Sequence, residues 1–326
     1  MSKSRYVYFI LLGWNNRDLL DGCLASIKQQ TYKDIRIVYV DNGSKDGSLH
    51  YVQKTYPDVI AIDGKINNGF AIGNNIGIKK ALQDADCEYI ALLNTDATID
   101  KNWTETLVRF AEKHSDLASM QTPTLDYYDD TTLDSRGIKI DPMGRAMQLG
   151  YREKVKKRYE SHRVFGVNAA ACIYTAEFLR TQPFDDDYFD SDLWIYLEDV
   201  DLAARAAILG YSNWCVEGAY AHHMGSVSSS KNPGFSIYHI YRNNALLLLK
   251  NLPLGFLLLA LPLALLNDLS VLFSSLRGRN MLAVRKIIKG RLHSTRMFGL
   301  FLKKRRIQKK YRKISSASLW KLMNAR

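Results

Sequence analysis

The sequence predicts an α/β protein, a mostly parallel sheet with helices on its faces. Three observations predict it. Short apolar runs alternate with helical stretches through the first half of the chain. Three of these runs stop at a polar residue, Asn15, Asp41 or Asp96. The 326 residues are enough for one large domain or two smaller ones around a real core.

RYVYFILLGW (Arg5–Trp14) reads as a buried strand, broken by Asn15 and Asn16. Leu20, Cys23, Leu24 and Ile27 follow at helical spacing. DIRIVYVDNGS (Asp34–Ser44) is a second strand ending at Asp41. A turn at Asn42, Gly43 and Ser44 and a polar helix to about Tyr56 come next. Val59–Ile62 is a short third strand. EYIALL, running into LLNTDA (Leu92–Ala97), is the fourth. A parallel sheet binds ligands beyond the C-terminal ends of its strands. Asn15, Asp41 and Asp96 are therefore expected on one edge. A carboxylate there suits a divalent cation on a diphosphate, because hard cations prefer oxygen.

The loop before the fourth strand reads NNGFAIGNNIGIKKAL (Asn67–Leu82), with Gly69, Gly73 and Gly77 and a helix starting inside it. Two readings stand. The glycines open a helix start that cradles phosphate, or they let the helix pack tightly on the sheet. The spacing is neither G-x-G-x-x-G nor a Walker A loop.

In the second half, Trp103–Lys113 is helical and Leu117–Thr122 is a strand. Ser135–Gly150 is a hairpin turning at Asp141–Gly144. Arg152–Arg163 reads as a flexible surface loop, either a solvated charge run or a flap over the site. Val164–Tyr174 is small and apolar, suited to a core strand or to close approach of a ligand. Glu198, Asp199 and Asp201 open a helix that runs to Leu209, with Asp201 one turn from Arg205. Acidic residues there complement the helix dipole, and one facing a cleft can also serve as a base. His222 and His223 follow the last core strand. Ser226 and Ser228 are candidate hydroxyl contacts.

Charge is uneven. Residues 277–326 hold 17 Lys and Arg and no Asp or Glu, while the rest is mildly acidic, at −5. A basic tail points to nucleic acid or an anionic membrane. Tyr241–Leu276 is strongly apolar, but Pro253, Pro262 and Asp268 argue against a membrane span. The expectation is amphipathic helices lying in the interface, with Phe298, Leu300, Phe301 and Trp320 among the basic residues at headgroup level. The alternative is a helical pair covering the core or making a homodimer. Four dispersed cysteines and an N-terminus without a signal peptide suggest reduced thiols in the cytoplasm.

DNGS after the second strand, NxGFAxGNNxG, LLNTDA and LEDVDLAARAAILGY together resemble family 2 glycosyltransferases, over about Tyr6 to Gly225. Within that family the chain looks most like bacterial rhamnosyltransferases of cell-surface polysaccharide synthesis. The resemblance implies an inverting enzyme of the GT-A fold, a Rossmann-like sheet with flanking helices. It implies a catalytic domain over 1–240, with a nucleotide-sugar half to about 122 and an acceptor half to 240. A membrane-associating region would follow over 241–326.

The same resemblance implies roles for single residues. Asp41 accepts the N3–H of a pyrimidine base, Asn15 lines the base pocket, and Asn67 and Gly69 border the nucleotide. Asp96 is the metal-binding member of the Asp-x-Asp motif, whose first position is Asn94 here. Asn94 weakens the metal site or touches ribose or sugar instead. His223 completes the Mg²⁺ or Mn²⁺ site, Asp199 is the base and Glu198 neighbours the acceptor. Asp190–Leu193 departs from the family spacing as an insertion. The implied partners are a dTDP- or UDP-linked sugar, plausibly dTDP-rhamnose, a lipid-linked saccharide acceptor and the anionic inner face of the membrane. No nucleic acid is expected. Two rivals remain. A nucleotidyltransferase needs a basic Gly-rich loop after the first strand, which GWNNRD does not offer. A non-enzymatic membrane- or RNA-binding protein would use only the tail.

Overall fold

A computed structural model describes residues 5–141, 143–156, 159–225 and 234–323. The first half runs β1 (Tyr6–Gly13), α1 (Arg17–Lys28), β2 (Ile35–Asp41), α2 (Ser48–Thr55), β3 (Ile60–Asp63), α3 (Gly69–Leu82), β4 (Cys87–Leu93), β5 (Ala97–Ile99), α4 (Trp103–Ala111) and β6 (Leu117–Gln121). Short strands β7 (Thr124–Asp126), β8 (Leu133–Ser135), β9 (Ile138–Ile140), β10 (Ala146–Gln148) and β11 (His162–Val164) come next. They lead to β12 (Ala171–Thr175), α5 (Ala176–Arg180), α6 (Glu198–Ile208), β13 (Ser212–Cys215) and β14 (Ala221–His223). Helices α7 (Phe235–Asn251), α8 (Leu254–Arg277), α9 (Met281–Lys309) and α10 (Ser316–Met323) close the chain.

The main sheet has eight strands in the order β11-β13-β6-β12-β4-β1-β2-β3. β3, β2, β1 and β4 are parallel neighbours, as the alternating pattern requires. β12 lies antiparallel between β4 and β6. Alternation along each strand feeds two cores. Val7, Phe9 and Leu11 face α1 and α4, while Tyr8 and Ile10 face the side of α3, α5 and α6. A second sheet, β5-β14-β7-β8, stands beside the ends of β4 and β6.

Three expectations are corrected. The stretch read as a flexible loop over Arg152–Arg163 is anchored on both sides of positions 157 and 158, which lie outside the described residues. Lys154 bridges to Thr132, Tyr159 is buried under the Arg136 guanidinium at 3.8 Å, and His162 and Arg163 begin β11. Of the two prolines, Pro253 separates α7 from α8 but Pro262 does not interrupt the apolar segment. Pro253 precedes α8, and the helix continues through Pro262 for 24 residues, long and apolar enough to cross a membrane. Pro262 lies on an exposed face, where a carbonyl freed by its missing N–H can turn to solvent. The basic tail is also partly internal. Phe301 is fully buried against Leu193 and Leu246, and Trp320 stacks on Phe256 with ring centroids 4.5 Å apart.

Polar residues bolt the C-terminal helices to α6 and the loop before it. Buried Lys250 donates to Asp190 (2.6 Å) and Asp201 (2.8 Å), and Asn251 donates to Asp201 (2.8 Å). Arg205 pairs with Asp201 at 3.0 Å, as the one-turn spacing predicts. Lys304 reaches Asp190 and Asp192 from α9. Asp201 therefore meets two cations and an amide, which offsets its removal from water.

Candidate active site

A cavity of about 920 Å³ opens at the C-terminal edge of the parallel strands. Asn67, Gly69, Asn94, Asp96, Glu198, Asp199 and His223 all line it. Of the residues singled out in the sequence, Asn15 and Asp41 are not among the lining side chains. Both are turned into the loop that follows β2. The Asp41 carboxylate accepts from the Ser44 N–H (2.9 Å) and the Tyr39 hydroxyl (3.2 Å). Asn15 has a left-handed φ of 51° and accepts from the Lys45 N–H at 2.7 Å. Their neighbours Asn16 and Asn42 line the cavity instead. Ser226 and Ser228 lie outside the described residues.

At the start of α3 the glycines serve packing, and two donors of its first turn are used within the protein. The Gly69 N–H donates to Asn67 Oδ1 (2.9 Å), and the Ala71 N–H donates to the Trp194 carbonyl (3.0 Å). These donors of the first turn are thus already satisfied within the protein. Asn42 completes the frame, with its amide on the Gly69 carbonyl and its Oδ1 on the Asn68 N–H. Further along, a Cβ at Gly73 or Gly77 would sit 2.4 Å from Leu12 or Ile10, so only glycine lets α3 lie this close to β1. Gly69 has φ +75°, and a Cβ there would meet the Trp194 ring at 2.6 Å.

The second sheet assembles the polar group at the other wall. Pairing of His223 with Ala97, and of β14 with β7, brings β14 beside Asp96 and Asp134. His223 Nε2 lies 3.5 Å from Asp96 Oδ1, and Nδ1 lies 3.0 Å from Asp134 Oδ2. Burial alone would lower the imidazole's pKa, but hydrogen bonds to both carboxylates override it and push it up to about 9. Among the described residues no three His, Cys, Asp or Glu side chains form a ready metal cluster. The Asp96 carboxylate fits Mg²⁺ or Mn²⁺, and the His223 imidazole can join it only by giving up the proton that the two carboxylates stabilise. Such ions take one or two protein donors and leave the remaining positions to phosphate oxygens and water. Asp134 would then orient the ring from its far nitrogen.

Glu198 and Asp199 stand at the first turn of α6. Asp199 lines the cavity. Its Oδ1 accepts from the Val200 N–H (2.8 Å), and its Oδ2 lies 3.5 Å from the Ala169 N–H. Burial pushes its carboxyl up to about 6. Burial, and then the charge of Asp199, hold Glu198 well above the ordinary range, and its Oε2 has no hydrogen-bond partner. Two adjoining carboxyls that resist joint ionisation leave one proton-bearing and one able to accept a proton.

The segment leading into α6 is strained. Trp194, Tyr196 and Leu197 all hold positive φ, at 64°, 67° and 69°. Three polar residues of α7 interrupt its apolar run and hold this part of the site. Asn243, fully buried, donates to the carbonyls of Leu193 (2.9 Å), Ile195 (2.9 Å) and Tyr196 (2.7 Å). Arg242 donates to the carbonyls of Asp192 and Leu193. Asn244 holds the hairpin tip through the Gly144 carbonyl (2.6 Å). Sequence reasoning passed over these residues. The available signal was RNN, three polar residues set in YRNNALLLLK.

The pattern of glycosyl transferase family 2 matches residues 9–182, more than half of the chain. An uncharacterized glycosyltransferase of Haemophilus influenzae is 28% identical over 123 residues, 37% of this chain and 37% of its own length. The poly-beta-1,6-N-acetyl-D-glucosamine synthase of Staphylococcus epidermidis is 22% identical over 209 residues, 63% of this chain and 46% of its own. The match thus spans less than half the length of either relative. Among solved structures, the mannosyltransferase PcManGT from Pyrobaculum calidifontis, in complex with GDP-Man and Mn²⁺, superposes with a TM-score of 0.54. It is 14% identical, over 99% of this chain and 88% of that one. GalNAc-T7, solved with UDP, GalNAc and Mn²⁺, gives a TM-score of 0.58 at 15% identity, over 74% and 48%. The parallel sheet, the cavity at its C-terminal edge and the match over residues 9–182 lead to one conclusion: the chain belongs to glycosyl transferase family 2 and has the GT-A fold.

Proposed function

We propose that the protein is an inverting glycosyltransferase that moves a sugar from a nucleoside diphosphate donor to an acceptor hydroxyl. The observation that carries this reading is one cavity holding Asp96 and His223 together with a deep carboxyl, Asp199, pushed up to about 6. A carboxyl with that pKa is ionised at neutral pH and still basic enough to take a proton.

In the proposed reaction Asp199 accepts the proton of the acceptor hydroxyl. The oxygen's electron pair forms the new bond to the anomeric carbon from the face opposite the diphosphate. The bond from that carbon to the diphosphate oxygen breaks, and the nucleoside diphosphate leaves with the electron pair. Glu198 keeps its proton and can donate a hydrogen bond to the acceptor. Asp96 and His223 would hold Mg²⁺ or Mn²⁺, which supplies positive charge for the departing diphosphate. Asn67, Gly69 and Asn94 border the donor. For Asp41 to read a pyrimidine, its carboxylate must turn an acceptor site not used by Ser44 or Tyr39 toward the base N3–H.

The finer reading is a rhamnosyl donor carried on dTDP, or a UDP sugar, and a lipid-linked acceptor at the inner membrane face. The sequence resemblance supports the donor. The exposed leucine face of α8 supports the membrane. The test is a panel of nucleotide sugars scored for thermal stabilisation with and without Mn²⁺, since a ligand of the native state raises Tm. One stabilising donor, with Asp199→Asn abolishing transfer but keeping that stabilisation, is the expected result. Full turnover by Asp199→Asn overturns the assignment of the base.

A further inference from the structure

The cavity has a wall that the donor and the base do not account for. It is made by the C-terminal helices and the hairpin tip: Tyr241 on α7, Asn267 and Asp268 on α8, Arg291 on α9 and Arg145 beside the turn. Each polar group is fixed by another. Arg291 donates to both Asp268 oxygens (2.6 and 2.9 Å) and to the Tyr241 carbonyl (2.7 Å). Arg145 donates to Asp141 Oδ2 (2.7 Å) and Asn267 Oδ1 (3.2 Å). Each guanidinium has a carboxylate partner, Asp268 in the wall for Arg291 and Asp141 behind it for Arg145, so the surface is polar with its charges paired. A phosphate would find its countercharge already taken. Hydroxyl groups, which donate and accept at once, suit such a surface. Trp194 and Tyr196 add aromatic surface to the same cavity.

The helix that supplies Asn267 and Asp268 has a second side. Leu258, Leu265, Leu266 and Leu269 are each 60% exposed or more on α8, away from the buried Leu257, Ala260, Ala264 and Asp268. One helix thus borders the reaction cavity along one edge and presents unbroken apolar surface along the other.

We propose that the wall of Arg145, Asn267, Asp268 and Arg291 is the acceptor subsite. It holds an uncharged pyranose of the acceptor, and the acceptor's apolar anchor leaves along the leucine face of α8. This rests on the glycosyltransferase reading and deepens it, by giving the acceptor a chemical class and a place.

The test uses the full chain and saturation-transfer NMR with a panel of methyl pyranosides, against methyl phosphate as the anionic probe. At least one methyl pyranoside gives a signal and methyl phosphate gives none. Asn267→Ala, which within the fold gives up the bond to Arg145 and toward the cavity removes one amide, weakens pyranoside binding about fivefold, the effect of one hydrogen bond of about 1 kcal/mol. Asp268→Asn, which strips Arg291 of its counterion, lets methyl phosphate bind. Absence of any pyranoside signal, or equal signals from wild type and Asn267→Ala, overturns the subsite. Binding of methyl phosphate to the wild type that Asn267→Ala abolishes overturns the uncharged class. Nucleotide-sugar stabilisation of the same samples separates the two levels. If it is present while the pyranosides fail, only the subsite falls. If it is absent in the wild type, the donor reading falls.

Discussion

Asn243→Asp is the perturbation that probes the strained segment most directly. The side chain keeps its volume, but its amide donor becomes an acceptor facing the carbonyls of Leu193, Ile195 and Tyr196. An amide nitrogen has two hydrogens, so two full hydrogen bonds are shared among three carbonyls. Their loss costs about 2 kcal/mol net, and buried acceptors left facing a carboxylate add about 1–3 kcal/mol. Relaxation works in the same direction. Three non-glycine residues with positive φ store about 1–2 kcal/mol each. The strain of about 3–6 kcal/mol is comparable to what Asn243 supplies, so the segment relaxes locally before the whole domain unfolds. The expected outcome is a kcat at least tenfold lower, donor KM within about twofold, and a urea-unfolding free energy lowered by less than about 3 kcal/mol. Steady-state kinetics and equilibrium unfolding on the same sample decide it. Wild-type kcat in a folded Asn243→Asp protein would refute the claim that this residue holds the segment in place.

Further outcomes follow from other parts of the site. The rate kcat/KM falls on the acid side with a midpoint near 6, because Asp199 must be ionised to accept a proton. Folding stability runs the other way. Between the ordinary Asp value of 3.8 and about 6 folded Asp199 keeps a proton that the unfolded chain releases, so its contribution to stability declines as pH rises through that window. A pH–rate profile with its acid limb near 4 would contradict this. Gly69→Ala drives a Cβ into the Trp194 ring at a backbone angle alanine resists, and transfer drops at least tenfold in a standard rate assay. Chelation of divalent cations, or Asp96→Asn, removes most of the Tm increase caused by the stabilising nucleotide sugar, measured by differential scanning fluorimetry.

The parallel half of the fold was legible because its signals are local. Tyr6–Gly13, Ile35–Asp41 and Cys87–Leu93 are apolar runs with polar stops, and a buried parallel strand allows little else. The acidic start of α6 and the pairing of Asp201 with Arg205 follow from helical spacing alone. What escaped notice depends on distant partners. The cavity wall takes Asn42 rather than Asp41, because Tyr39 and Ser44 hold the carboxylate inside its own loop. Asp134 reaches His223 across 89 positions of sequence. No local pattern marks it. The stretch read as a solvated charge run or a flap is held at Tyr159 beneath Arg136, an aromatic–cation contact that a charge count does not register. Pro262 misled for a related reason, since a proline on the outer face of a well-anchored helix costs less than one facing inward.

The ammonium groups of Lys250 and Lys304 have a practical consequence. Each reaches from a C-terminal helix to an acidic side chain in the loop before α6 or in α6 itself. Trimming those helices to obtain a more soluble enzyme would leave Asp190 buried without its cations and Asp201 with Arg205 alone, and the loss would reach Asp199 before it reached the sheet. A shortened protein of that kind would retain its nucleotide side and fail at proton transfer.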